Sequence, residues 1–170
     1  MQKKGETSKQ YFNTLSLIHI ALLLGQLAFA VVVYVMHADK SPEETTQDPG
    51  VYRILVPSLA VFGFIASTFL PEARLKSLRG SKDLGYKLAG YRTMLIIKYA
   101  LLEAPSLFAL VIYLLTADYL FLGVASALII FFIINRPSKD KLMSSLELDH
   151  VEKAALNDPN AVVTNMVRTV

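Results

Sequence analysis

Three stretches of this chain contain no Asp, Glu, Lys or Arg: residues 10–38, 54–71 and 119–135. A fourth, 93–117, is interrupted only by Lys98 and Glu103. About 20 apolar residues in a helix cross a hydrocarbon core of ~30 Å, so blocks of this length are matched to a bilayer. Charged residues make up 18% of the 170 residues, against ~25% in an ordinary soluble domain, and too few polar side chains remain to clothe a globular surface. The expectation is an all-α membrane protein. The absence of cysteine excludes a disulfide scaffold and a Cys-ligated metal site. Basic residues flank the apolar blocks, so the net charge of +3 points to the membrane surface and not to nucleic acid.

Four transmembrane helices are expected, at 11–37, 52–71, 92–116 and 118–135. Together they form a transmembrane domain over 11–137, between an N-terminal segment (1–10) and a tail (138–170). The first apolar block is too long for a cleaved signal peptide and has no convincing small-residue cleavage site. Lys and Arg concentrate on the cytoplasmic side of a membrane protein. Here Lys3, Lys4 and Lys9 precede the first block, and Arg74, Lys76, Arg79, Lys82, Lys87 and Arg92 fill the 72–92 connection. Arg136, Lys139 and Lys141 follow the last block, while loop 39–50 carries one Lys against Asp39, Glu43, Glu44 and Asp48. The count places both termini in the cytoplasm of a multi-pass inner (plasma) membrane protein.

The breakers agree with this partition. Ser41-Pro42 and Asp48-Pro49-Gly50 turn the chain within loop 39–50. The third and fourth helices are joined by barely three residues around Ala117-Asp118, which makes them antiparallel neighbours. Pro71 and Pro137 each mark the cytoplasmic exit of a span. Leu142, Leu146, Leu148, Val151 and Ala155 predict an amphipathic surface helix over 138–156, and from Asn157 the chain reads as a loose, flexible tail.

Residues 14–36 align without a gap on 93–115 at an offset of 79. Thr14, Ala21, Leu22, Leu23, Phe29, Ala30, Val32 and Tyr34 match Thr93, Ala100, Leu101, Leu102, Phe108, Ala109, Val111 and Tyr113, and His19 falls on Lys98. The second and fourth blocks align more weakly through Pro71 and Pro137. The pattern predicts an internal duplication: two tandem hairpins related by an axis along the membrane normal, as in parallel-repeat transporters.

The polar residues inside the blocks are the candidate site. Glu103 lies close to the bilayer midplane at 1.5 Å per residue. An ionised carboxylate there costs at least ~2.5 kcal/mol, so the side chain is expected to be protonated, paired or turned to a water-filled cavity. Arg92, Ile96, Tyr99, Glu103, Ser106 and Leu110 share one helical face, and Pro105 frees the carbonyl of Leu101 from its helical bond. Lys98 lies too far around for a good intrahelical pair and is expected to snorkel or to pair with another helix. On the first helix Ser16, His19, Leu23, Gln26 and Ala30 share a face. Gln26 falls at about the depth of Glu103, and His19 at that of Lys98. Gln26, Tyr99 and Glu103 could therefore hold a proton or a monovalent cation, or hydrogen-bond across a helix interface and hold the protein together. Small-residue strips (Ala21, Gly25 and Ala28; Ala60, Gly63 and Ser67; Gly123 and Ala127) predict close helix contacts.

A tandem hairpin with Glu103 in one half and Leu24 at the matching place resembles, in architecture, the proteolipid of V-type rotary ATPases over roughly 14–137. The chain departs from that family in carrying its carboxylate on the first helix of the hairpin, in lacking dense Gly-x-Gly strips, and in its orientation. Ala100-Leu101-Leu102-Glu103-Ala104-Pro105-Ser106, with Tyr113-Leu114-Leu115-Thr116 and Asn135-Arg136-Pro137, resembles a group of uncharacterised small bacterial four-helix membrane proteins loosely labelled as transporters. That resemblance implies a fold and no activity.

No phosphate loop, Ser–His–Asp set or paired acidic motif appears, and three histidines, of which only His19 lies well inside a block, do not make a haem or metal centre. No cofactor and no enzymatic activity are expected. Two functions stay open. One is a non-enzymatic subunit or assembly partner in the lipid bilayer, as a homo-oligomer or with other membrane subunits. The other is a small oligomeric proton- or cation-coupled transporter using Glu103.

Overall fold

A computed structural model describes residues 5–38 and 49–165. In chain order the elements are β1 (Gly5–Thr7), α1 (Ser8–Ala38), α2 (Tyr52–Arg79), α3 (Leu84–Thr116), α4 (Tyr119–Ile134), α5 (Lys139–Ser145), α6 (His150–Asn157) and β2 (Val162–Asn165). The fold is all-helical apart from one two-stranded sheet. Helices α1, α2 and α3 are long and apolar enough to cross a membrane, and a fourth span arises if α4 and α5 are counted as one broken segment. Leu17, Leu24 and Val31 on α1 and Ile54, Phe62 and Phe69 on α2 stand exposed. Water does not tolerate apolar surface on that scale and hydrocarbon does, so the helices suit a multi-pass membrane protein. Most of loop 39–50, including the Ser41-Pro42 break, lies outside the described residues.

The chain divides into two compact units. One comprises Ile20–Phe69 and Ile97–Asn135. Its core is Val33 from α1, Val56 from α2, Ala109, Leu110, Ile112 and Tyr113 from α3, and Phe121 and Ala125 from α4. Phe64 packs tilted against Phe131 at 4.6 Å between ring centres, and Tyr99 against Phe132 at 4.9 Å. Helix α3 passes through Pro105 without ending. At that level Gly63 of α2 approaches so closely that an added Cβ would stand 2.5 Å from the Leu101 carbonyl oxygen and 2.9 Å from Pro105 Cγ. The small-residue strips do not all behave this way. A Cβ on Gly25 or Gly123 would meet nothing within 4 Å, because small size permits a close crossing but does not create one.

Two residues reverse the chain between α3 and α4. Ala117 adopts φ 53°, the left-handed region, and Asp118 caps α4 by accepting the Leu120 N–H at 3.0 Å. Arg53 Nε donates to the other Asp118 oxygen at 2.9 Å. The Leu120 N–H, and secondarily Arg53, hold the Asp118 carboxyl below the usual carboxylate range.

The other unit comprises the chain up to His19, Leu70–Ile96 and the chain from Arg136 onward. Here two helices run beyond the expected spans. Helix α2 runs on through Pro71 to Arg79, and α3 starts at Leu84 instead of 92. Charge-free length measures the part of a helix matched to hydrocarbon, whereas the helix itself continues as long as its apolar stripe finds protein. Pro71, Leu75 and Leu78 are buried on α2, as are Leu88, Tyr91 and Leu95 on α3. The Asp83 carboxylate accepts the Gly85 N–H at 2.9 Å where α3 begins.

Among the described residues the tail is not one amphipathic helix over 138–156. It breaks into α5 and α6, because Glu147 takes φ 50° and Asp149 starts a new helix with a capping box to Glu152. Leu142, Leu146, Leu148 and Leu156 are buried, while Val151, expected on the apolar stripe, is 79% exposed. Beyond Asn157, β2 pairs antiparallel with β1 in the N-terminal segment. Ser8 reinforces that join, its N–H donating to the Ala161 carbonyl at 3.0 Å and its hydroxyl to the Leu156 carbonyl at 2.5 Å.

Candidate functional site

On α1 the buried positions Tyr11, Leu15, His19, Gln26 and Val33 recur at steps of four and seven residues, which keeps them on one face. On α3 the corresponding stripe is Leu88, Leu95, Tyr99, Leu102, Ser106, Ala109 and Tyr113. The two helices are joined by two side-chain to backbone hydrogen bonds. Tyr11 donates its hydroxyl to the Leu88 carbonyl at 2.7 Å, across a sequence separation of 77. His37 Nε2 donates to the Tyr113 carbonyl at 2.8 Å, across a separation of 76, which places the ring proton on Nε2 because a carbonyl only accepts. Within the unit that holds Ile20–Phe69 and Ile97–Asn135, Val33 of α1 shares a core with Ala109 and Leu110 of α3, in the same register as His37 with Tyr113, so the helices run parallel there and Gln26 stands level with Leu102 and Glu103.

At this level the polar groups lack partners. Gln26 is 1% exposed, and neither its amide oxygen nor its amide nitrogen is hydrogen-bonded among the described residues. The Ser106 hydroxyl is fully buried and is likewise unbonded. Leaving a buried polar group unmade costs about 1–3 kcal/mol, so two side chains concentrate that cost along one seam. Glu103, one helical turn before Ser106, is half-buried. Among the described residues no hydrogen bond or ion pair reaches its carboxylate.

The remaining sequence candidates are committed elsewhere. Tyr99, expected beside Gln26 and Glu103, donates instead to the Asn135 carbonyl at 3.2 Å. Lys98 donates to the Asn135 side-chain oxygen at 2.7 Å, and the Asn135 amide nitrogen in turn donates to the Phe131 carbonyl at 2.8 Å. The C-cap of α4 therefore serves both α3 residues, a role no sequence pattern around Asn135 announced. Arg92, three turns before Glu103, forms an ion pair with Glu6 of β1, and its guanidinium lies 4.8 Å from the Tyr11 ring centre. Glu6 is 4% exposed and also accepts from Thr14 and Thr164. His19 is buried on the α1 stripe but belongs to the other compact unit.

Of the six candidates, Gln26 and Glu103 thus share one level, joined there by Ser106, while Tyr99 and Lys98 pair with Asn135 and Arg92 with Glu6. The signal for Ser106 was its place on the Glu103 face. Among the described residues no three His, Asp or Glu side chains are grouped to hold a metal ion. Comparison with protein-family models, with curated proteins and with solved structures yields no match.

Proposed function

We propose that this chain is a non-enzymatic subunit of a membrane complex, assembled from copies of itself or with other membrane subunits. It is read as four spans in two tandem hairpins with both termini cytoplasmic, in the bacterial inner membrane. Glu103 carries this reading. A carboxyl half-open to its surroundings near the middle of a long apolar helix is costly against acyl chains even when neutral. Cover by another protein surface removes that cost. The gapless match of 14–36 on 93–115 is what supports duplication.

Ala104 is exposed beside Glu103, which makes it the place to test assembly. A photo-crosslinking residue at position 104 should capture protein, either a second copy or a co-purifying subunit, and native mass spectrometry from mild detergent should give an assembly larger than one chain. A monomer whose crosslinks go only to lipid would refute the proposal. Orientation is tested separately in the cysteine-free background. Val51→Cys should react with an impermeant thiol reagent from outside the cell and Lys82→Cys should not.

A further inference from the structure

Gln26 on α1 and Ser106 on α3 are fully buried, and their side-chain polar atoms are unbonded among the described residues. Within their own unit the register of His37 on Tyr113 and of Val33 beside Ala109 sets Gln26 level with Glu103, and Ser106 lies three positions beyond Glu103 on the same helix, where side chains are neighbours. We propose that Gln26 Oε1, Ser106 Oγ and the Glu103 carboxylate form a binding site for one alkali-metal cation, of which sodium is the test ion. The site lies wholly within this chain and does not depend on a covering subunit.

The donor set selects the ligand. All three contributed atoms are oxygens, the ligands preferred by hard cations over softer transition metals. A single carboxylate brings one negative charge, so one monovalent cation makes the site neutral. A divalent ion would leave a net positive charge in a low-dielectric setting, where uncompensated charge is strongly disfavoured. A proton on Glu103 bridges the carboxyl to a single acceptor, whereas a metal cation is shared by several oxygens at once. The Gln26 amide nitrogen then remains to donate to the carboxylate.

The test uses the full chain in lipid nanodiscs, with thermal unfolding followed as NaCl replaces choline chloride at constant ionic strength. Wild type should gain thermal stability saturably with sodium, because an ion bound only by the folded state stabilises it by mass action. Glu103→Gln should abolish the gain. Ser106→Ala, a small deletion that keeps the helix, should raise the apparent Kd for sodium by roughly tenfold, the effect of losing about 1.4 kcal/mol of ligand interaction. Gln26→Leu should be more stable than wild type in choline, since an unbonded buried amide is removed, yet respond less to sodium. That opposite pair of effects is not produced by a packing role. Equal stabilisation by sodium and choline would overturn the site. So would a sodium response undiminished in Glu103→Gln or in Ser106→Ala, or a saturable response confined to proton concentration.

Discussion

Gly63 of α2 sits against the carbonyl of Leu101 on α3, close enough that a Cβ at Gly63 would lie 2.5 Å from that oxygen. The carbonyl is the one that Pro105 deprives of its helical partner, because proline has no N–H to offer four residues on. A glycine backbone can approach such an oxygen and place Cα–H groups against it, a weak contact that recurs at close helix crossings. The proline and the glycine are thus two halves of one helix-helix join. Gly63→Ala should lower stability by about 1–3 kcal/mol, the usual range for forced overpacking. Gly25→Ala and Gly123→Ala meet open space and should be neutral or stabilising by up to ~1 kcal/mol, since glycine is a poor helix former. Steric-trap unfolding in bicelles measures all three, and equal effects at Gly63 and Gly25 would remove the join from the account.

The ion pair between buried Glu6 and Arg92 ties β1 to α3, and the Thr164 hydroxyl on the same carboxylate ties in β2. Removing one partner of a buried pair costs ~3–5 kcal/mol. Arg92 is a quarter exposed, at 25%, so Glu6→Ala should fall at the low end of that range and Glu6→Gln below it. Hydrogen exchange should show Ser8 and Thr164 amides losing protection in Glu6→Ala, while α4 amides stay as in wild type. Unchanged exchange at Ser8 would mean that the sheet holds without the pair.

Asp118 gives a pH dependence whose sign follows from its depressed pKa, caused first by the Leu120 N–H and then by Arg53. A depressed carboxyl contributes stability that is fully present above the unfolded value of 3.8 and is lost as pH falls through the folded value. Arg53 is 59% exposed, so solvent screening limits the pair to ~1 kcal/mol or less. Melting curves taken from pH 6 downward (buffer conditions chosen at roughly the range where carboxylates titrate) should show a small acid-side loss in wild type that is absent in Asp118→Asn.

Ala117 occupies a left-handed conformation at φ 53°, where a Cβ costs roughly 1–2 kcal/mol. Ala117→Gly relieves that strain but adds freedom to the unfolded chain worth ~0.5–1 kcal/mol. The net effect should be stabilisation of up to about 1 kcal/mol, read as a higher unfolding midpoint. A destabilised glycine variant would show that the turn is held by contacts that do not strain Ala117.

What could be read from the chain alone followed from periodic, local properties. Blocks without charge identify apolar helices because a bilayer accepts little else, and so the apolar parts of α1, α2 and α3 are legible in the sequence. The face shared by Glu103 and Ser106 was legible for the same reason: 100° per residue is a property of the helix and not of its neighbours. Even the start of α6 was written locally, in Asp149 and Glu152 three positions apart, although the leucines around it suggested one longer helix.

Partnership was decided by tertiary structure. Arg92 and Tyr99 lie near Glu103 on a helical wheel, yet Glu6 and Asn135, distant in sequence, claim them because charge and hydrogen-bond demands are met by whichever group the fold brings closest. The lengths of α2 and α3 beyond the charge-free blocks, and the pairing of β1 with β2 across nearly the whole chain, depend on buried contacts that no local window contains. The same holds for the seam where Gln26 and Ser106 are left unbonded. Helix periodicity put each residue on its face, but only the packing of α1 beside α3 enclosed both without a hydrogen-bond partner among the described residues.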